Sequence, residues 1–508
     1  MTNRAPGPPP VEIELKLALP GSDPAGLLRQ LRKTAPLARR KTVHSVLHNV
    51  YFDTPEQTLR RARITLRLRR TGDADAATWL QTLKIGGSSD SALSRRGEWE
   101  APVAAAALNA AQLAATPWSA LDPDGALFAA LTPCFETSFE RTAWQVRRAD
   151  GSVVEVALDL GQVRAGGRSL PICELELELK AGEAGALFEL ARQIGQSVPL
   201  LPANRSKSER GYALAENAAF QPMRPHPPAL APGLALPELA QRVLREMYCQ
   251  FSTNLDALRS ADDPELVHQA RVGWRRLRST WRLFAHVPGL APAPSWEPLR
   301  PLLDLLGELR DLDVARTDTL PALARAYTLG DAVRTGQWQA MEQMLAQRAA
   351  QQRDAVRRAL AQPLPGLTLL ATTQWLESLV QHPEPARGAH PAPAKRWARR
   401  RLSKVHERLC EALQQTGDPE RLHRVRILAK RLRYAVDALH PLLNAQPARR
   451  WLRLATRLQN RLGAVRNQLR AAELVGAMVP DSALANFLRG VAVGRQAARS
   501  PLAASRRR

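Results

Sequence analysis

V-E-I-E-L-K-L-A-L, from Val11 to Leu19, alternates apolar and polar residues with period two, the pattern of a β-strand with two unlike faces. Glu12, Glu14 and Lys16 fall on one face, and Val11, Ile13, Leu15 and Leu17 on the other, because successive strand side chains point to opposite sides. Later stretches repeat the pattern with the charges sorted by sign. Residues 61–70 place Arg63, Thr65, Arg67 and Arg69 together; 78–84 carries Lys84; Arg96, Glu98 and Glu100 share a face; 139–146 carries Arg141. Residues 153–159 align Glu155 with Asp159, and 171–180 align Glu174, Glu176 and Glu178.

About eight such strands, with helices at 23–40 and 183–196, predict an α+β closed antiparallel barrel. Its lumen is polar and its helices lie outside. Carboxylates of Glu12, Glu14, Glu174 and Glu176 are expected in one part of the lumen, and Lys16, Arg67, Arg69, Lys84 and Arg141 in another, since neither set is stable when buried without the other. Clustered carboxylates suit a hard divalent cation. Arg and Lys suit phosphate oxygens. Together they describe a site for a metal-bound polyphosphate, where hydrolysis needs chiefly positioning and charge neutralisation. Tyr51 reads as a packing residue and Glu155 as a strand-face residue.

The chain has 508 residues, enough for several domains. Residues 1–216 hold 27 Lys+Arg against 24 Asp+Glu, a net of +3; residues 217–508 hold 45 against 24, a net of +21. A near-neutral half is thus joined to a strongly basic one, which implies a polyanionic partner. The four cysteines form no metal or redox spacing and fit a reducing compartment. The first ten residues show no signal-peptide pattern, and no apolar run is long enough to span a membrane. The expected location is cytoplasmic.

The E-x-E-x-K opening, Y-F-D-T at 51, L-R-L-R-R at 66, T-L-K at 82, the Asp159 strand, E-L-E-L-E and S-K-S-E-R-G-Y resemble the CYTH family of triphosphate tunnel metalloenzymes. The resemblance implies an eight-stranded tunnel acting on a triphosphate with Mg²⁺ or Mn²⁺. It implies metal binding by Glu12, Glu14, Glu174 and Glu176, and triphosphate binding by Lys16, Arg67, Arg69, Lys84, Arg141 and Lys207, with Lys16 and Glu14 as catalytic candidates. Which pair among Glu174, Glu176 and Glu178 holds metal stays open. The implied activity is inorganic triphosphatase; adenylyl cyclase and thiamine triphosphatase are the alternatives within the family, and a non-catalytic polyphosphate-binding protein is the alternative outside it.

Beyond the barrel, 217–237 is proline-rich and reads as a semi-rigid linker between a first domain at 11–216 and a helical one at 238–500. A second break at 381–394 divides the helical part into repeats of about 238–380 and 395–500. H-Q-A-R-V-G-W-R-R-L-R from His268 matches H-R-V-R-I-L-A-K-R-L-R from His423, and L-L-G-E-L-R-D from Leu305 matches R-L-G-A-V-R-N from Arg461; two matches in register indicate an internal duplication. Trp274, Trp281 and Tyr434 read as packing residues. This half resembles the CHAD domain, a duplicated all-α module. The resemblance implies long-chain polyphosphate binding through His268, Arg271, Arg275, Arg276 and Arg278, and through His423, Arg426, Lys430, Arg431 and Arg433. Association with polyphosphate granules is implied only by this resemblance of the basic half. Specific nucleic-acid binding is not expected: the helix-turn-helix, RNP and zinc-finger signatures are absent. Separable halves would let a fragment ending near Pro225 hydrolyse triphosphate, and one starting near Pro232 bind polyphosphate.

Overall fold

A computed structural model describes residues 11–20, 23–72, 78–87, 90–228, 230–231, 233–380, 394–415 and 420–498. The break at 381–394 falls outside these up to its last residue, as do the opening decapeptide, Pro232 and the end of the second repeat.

Eight strands close into one antiparallel barrel. They are β1 (Val11–Ala18), β2 (Thr42–Asp53), β3 (Ile64–Thr71), β4 (Thr78–Gly86), β5 (Leu93–Val103), β6 (Thr132–Arg147), β7 (Val153–Ala165) and β8 (Arg168–Ala181). The sheet runs β5-β4-β3-β2-β6-β7-β8-β1, and β1 also pairs with β5, which completes the circuit. The two-residue strand β9 (Leu201–Pro202) adds to the end of β1. β1 closes the barrel by pairing its first half with β5 (Glu12 opposite Arg96) and its second half with β8 (Lys16 opposite Glu176). Its apolar face turns outward: Leu15 and Leu17 join Leu175, Leu177, Val154 and Val156 under the helix Gly185–Gly195.

Two sequence expectations shift. The helix expected at 23–40 ends at Lys33. Arg63 leaves the face shared by Arg67 and Arg69, because it adopts a left-handed φ of 57° just before β3 begins.

The second half is all helical among its described residues. The helices Pro264–Phe284 and Arg421–Leu439, which carry the matched His268 and His423 motifs, share one core. Ala270 and Leu277 of the first lie in it with Leu428 and Leu432 of the second. Trp274 and Trp281 pack as expected, against Trp296 and Trp375.

The stretch after the barrel is strapped down. The Met223 backbone exchanges two hydrogen bonds with Asn254, and His226 N–H donates to Glu246 at 2.7 Å. The halves also share apolar surface: Ala18, Leu201 and Ala203 belong to the helical core, and Leu370 to the barrel's outer core. Glu377, buried, accepts from Ser91 Oγ at 2.7 Å and pairs with Arg95 and Arg245. A side chain on Gly366 would meet the Leu200 carbonyl oxygen at 1.8 Å. Cutting the chain near 225–232 would expose this buried contact, so the full chain is the form in which either half is best tested.

Candidate active site and basic helical face

The lumen is a cavity of about 220 Å³. Strand alternation aims Glu12, Glu14 and Lys16 of β1 into it, with Arg67 and Arg69 of β3, Lys84 of β4, Arg141 of β6 and Glu176 of β8. Lys207, from the first turn of the helix Lys207–Ala215, enters from outside the sheet. Ser206 caps that helix, and Glu209 returns the bond to the Ser206 backbone.

The charges do not form separate acidic and basic zones; they interlock. Lys84 Nζ lies 2.8 Å from Glu12 and 2.9 Å from Glu98. Arg96 bridges Glu12, at 2.8 Å, and Glu14. Lys16 pairs with Glu14 at 2.8 Å. On the far side, Arg141 grips Asp159 and Glu176, each at 2.7 Å. Lys207 Nζ stands among Asp159 at 2.6 Å, Glu176 at 2.9 Å and Glu174. Glu174 also pairs with Arg210 and opens less to the main cavity than Glu176 does. Burial works to raise the Glu12 and Glu176 carboxyls; Lys84 and Arg96 in one case, Lys207 and Arg141 in the other, more than reverse it. Both are therefore held ionised in a place that would otherwise protonate them.

Arg67 and Arg69 differ from these paired groups. Arg69 donates to Asn49 at 2.8 Å and has no carboxylate partner among the described residues. Burial and the neighbouring Arg67 and Arg141 lower its pKa to about 10. Arg67 reaches Glu98 only at 3.8 Å, and its Nε is buried without a hydrogen-bond partner. Two buried cations short of counter-charge and an orphaned donor mark a place prepared for an anion. Tyr51 does pack, stacked on Phe135 at 4.5 Å, but it also lines the lumen. Burial pushes its phenol up, and Arg67 reverses the shift.

Asp159, Glu174 and Glu176 offer three carboxylate oxygens within 4.8 Å of one another. These oxygens suit a hard divalent ion. The Lys207 ammonium among them shows that the place is made for positive charge. Asp159 was named in sequence only through its strand, and its part in this group depends on its register opposite Glu174. Glu98, Glu155, Glu178 and Lys180 also line the lumen, Glu155 facing Glu178 across the strands.

Two motifs also have a structural part. Asp53 of Y-F-D-T is fully buried, accepts from the Leu59 and Arg60 backbone N–H groups, and receives the Tyr212 hydroxyl at 2.8 Å. Y-F-D-T and S-K-S-E-R-G-Y thus meet to pin the turn that follows β2.

In the helical half the two repeats converge on one cationic face. Lys430 is lowered to about 7 by burial and then by Arg275, Arg426, Arg466 and Arg271. His268 is lowered to about 4 by burial and Arg310. Arg310 and Arg466 are equivalent positions of the second repeated motif, so the sequence contained a signal for them. Arg271, Arg275 and Arg278 also line a groove of about 630 Å³ with Trp274 and Trp296. His423 is exposed, and Arg433 is turned to Asp437 at 3.7 Å.

Arg276 and Arg431 are corrections. Arg276 is 2% exposed and locked to Glu246 at 2.9 Å and to Gln250. It faces the core because one residue beyond Arg275 turns a helix by about 100°. Arg431 likewise rotates off the shared face, toward Arg282 and Arg408. Arg276→Ala should therefore destabilise the fold by about 3–5 kcal/mol, because it strands a buried carboxylate. Replacing Glu246 by Leu together with Arg276→Met should recover most of that loss in chemical denaturation. A single Arg276→Ala variant with an unshifted midpoint would refute the assignment.

With this geometry in place, the chain carries a CYTH domain, matched over residues 11–212, followed by a CHAD domain, matched over residues 242–476. The barrel half is 33% identical over 205 residues to the inorganic triphosphatase of Haemophilus influenzae, covering 40% of this chain and 54% of that protein; the chain thus spans about half the length of that relative. The Mycobacterium tuberculosis protein Rv2226 is 29% identical over 422 residues, covering 77% of this chain and 75% of its own. The crystal structure of the CHAD domain from Ricinus communis aligns at 28% identity and a TM-score of 0.47, covering 55% of this chain and 92% of that one. No helix among the described residues is long and apolar enough to cross a membrane.

Proposed function

We propose that the barrel hydrolyses inorganic triphosphate with Mg²⁺ or Mn²⁺ and that the helical half binds long-chain polyphosphate. The observation that carries the first part is the pairing, in one lumen, of a three-carboxylate group with two buried arginines, Arg69 with no carboxylate partner among the described residues and Arg67 reaching Glu98 only at 3.8 Å with its Nε unpaired. The triphosphatase name of the Haemophilus influenzae relative supports it.

Glu174, Glu176 and Asp159, with Glu12 and Glu14 nearby, would hold the metal. Such an ion supplies charge neutralisation at the phosphate oxygens. Arg67, Arg69, Lys84, Arg141, Lys16 and Lys207 grip those oxygens and hold the chain in line. Water attacks a terminal phosphorus, a new P–O bond forms, the anhydride P–O bond breaks, and the bridging oxygen leaves with pyrophosphate. The Lys16–Glu14 pair lies beside this path, and lumen carboxylates held ionised can take the water's proton.

The lumen reads phosphates through charge, and the two rings among its described lining are already engaged, Tyr51 stacked on Phe135 at 4.5 Å and Phe139 under Lys207 at 4.9 Å. Tripolyphosphate should be turned over at least about ten-fold faster than ATP at matched concentration. Equal or faster release of phosphate from ATP would move the reading to the nucleotide-acting branch.

For the helical half, Arg271, Arg275, Arg310, Arg426, Lys430 and Arg466 gather on one face from four helices. Asp311 and Glu265 offset Arg271 and Arg310 only in part, since both stay lowered; cations this crowded repel one another, and a polyanion relieves that repulsion.

A further inference from the structure

The lumen opens at one end into a second cavity of about 630 Å³, and the two share Lys16, Thr65, Arg96, Ser206 and Ser208. Arg60, Arg61, Arg63 and Arg205 stand around this vestibule. Its far wall is the helical half: Cys249 and Thr253 come from the helix Leu236–Ala257, and Pro222 and Met223 from the strap before it. Within the lumen Glu98, Glu100, Glu155 and Glu178 are interleaved with Arg67, Arg69, Lys84 and Lys180, Lys84 lying 2.9 Å from Glu98. Besides the shared Lys16 and Arg96, the vestibule sets Arg60, Arg61, Arg63 and Arg205 against Glu209 and Glu216, so the mouth under the helical half is the more cationic.

The basic mouth is built rather than incidental. Asp53 holds the turn carrying Arg60 and Arg61 through backbone bonds at 2.8 and 3.0 Å. Arg63 follows in a left-handed conformation, its carbonyl receiving the Gly86 N–H at 3.1 Å. A non-glycine residue there is strained unless its surroundings fix it. Arg60 is neutralised by Glu216. Arg61 and Arg63 are exposed and have no carboxylate partner among the described residues.

We propose that the vestibule is a second phosphate subsite, holding the part of a linear polyphosphate that extends past the three phosphates in the tunnel. It makes chains longer than triphosphate substrates, entering by the mouth that faces the helical half. The inference rests on the triphosphatase reading of the tunnel and extends its substrate class. A nucleoside is the other group that could trail from a triphosphate, but the ring that lines the vestibule, Tyr212, already has Arg60 over its face at 4.9 Å. Tyr212 also packs edge-on against Phe135 at 5.0 Å, so the one ring among the described lining residues is already engaged.

The test uses the full chain with Mg²⁺ and compares tripolyphosphate, linear tetrapolyphosphate and ATP. The variants are Arg61→Glu and Arg63→Asn, alone and together; Asn tolerates the left-handed backbone at 63. The double variant should lose at least about ten-fold in kcat/KM for tetrapolyphosphate, the scale of a lost charge-assisted contact. Its tripolyphosphate turnover should stay within about two-fold, which also shows the fold intact. Arg192→Glu, on the exposed side of the outer helix Gly185–Gly195, should leave tetrapolyphosphate turnover unchanged. Equal loss on both phosphates, or loss on neither, overturns the inference while leaving the triphosphatase reading standing. Loss confined to ATP would assign the vestibule to a nucleoside and overturn it likewise. A wild-type chain that does not hydrolyse tripolyphosphate overturns the underlying reading, and this inference with it.

Discussion

Glu176→Gln should reduce tripolyphosphate hydrolysis by at least about a hundred-fold, the scale of removing one preorganised electrostatic contact from an active site. Glu176 belongs to the three-carboxylate group, and its two oxygens engage Arg141 at 2.7 Å and Lys207 at 2.9 Å. The amide keeps the shape and loses the charge, so the barrel should still fold. Raising Mg²⁺ should recover part of the loss, because weaker metal binding is answered by mass action. Glu12→Gln should have the smaller effect, since Glu12 lies outside that group and is matched by Lys84 and Arg96. Steady-state phosphate release across a Mg²⁺ series checks both. A Glu176→Gln enzyme as active as wild type at low Mg²⁺ would remove this residue from the metal site.

Reversing Arg275 and Lys430 to Glu should abolish long-chain polyphosphate binding at physiological salt. Each reversal deletes a cation and adds a repelling charge, and together they should lower affinity by at least about a hundred-fold. Binding to several cations releases counterions, so wild-type affinity should fall steeply with salt and the variant's weakly. Lys430 adds a pH signature. Its pKa in the free protein is about 7, and only its charged form attracts the chain. Below that pH it is already protonated. Above it, binding must bring in a proton, so affinity falls as pH rises from about 7. Lys430→Arg, which stays charged, should bind with a flatter pH profile. Titration calorimetry at several pH values reads this directly. Duplex DNA is the control: if it competes equally with polyphosphate at physiological salt, the face is a generic basic surface.

These two expectations differ in how far they could be read from the chain. Strand period fixes which side of a strand a residue occupies, so Glu12, Glu14, Lys16 and the Glu174–Glu178 row were legible as one lining. What each touches was not. Lys84 meets Glu12 across 72 positions, and Lys207 meets Asp159, only because closure and register bring them together. The expected separation of acidic from basic zones failed for that reason. Arg276 is a different case. Gln269, Gly273 and Thr280 stand three to seven residues away on its side of the helix, and all are buried. Helical period could have set it apart from Arg275, but a motif read as a string could not. The contact between the halves, from Glu377 and Leu370, left no local pattern to read.

The central claim is metal-dependent hydrolysis of inorganic triphosphate in the barrel. The most direct measurement is phosphate release from tripolyphosphate by the full chain, with Mg²⁺ and then after chelation. Turnover that requires Mg²⁺, stops on chelation and returns when the ion is restored is the predicted result. No turnover at any Mg²⁺ or Mn²⁺ concentration, or turnover indifferent to chelation, would contradict it.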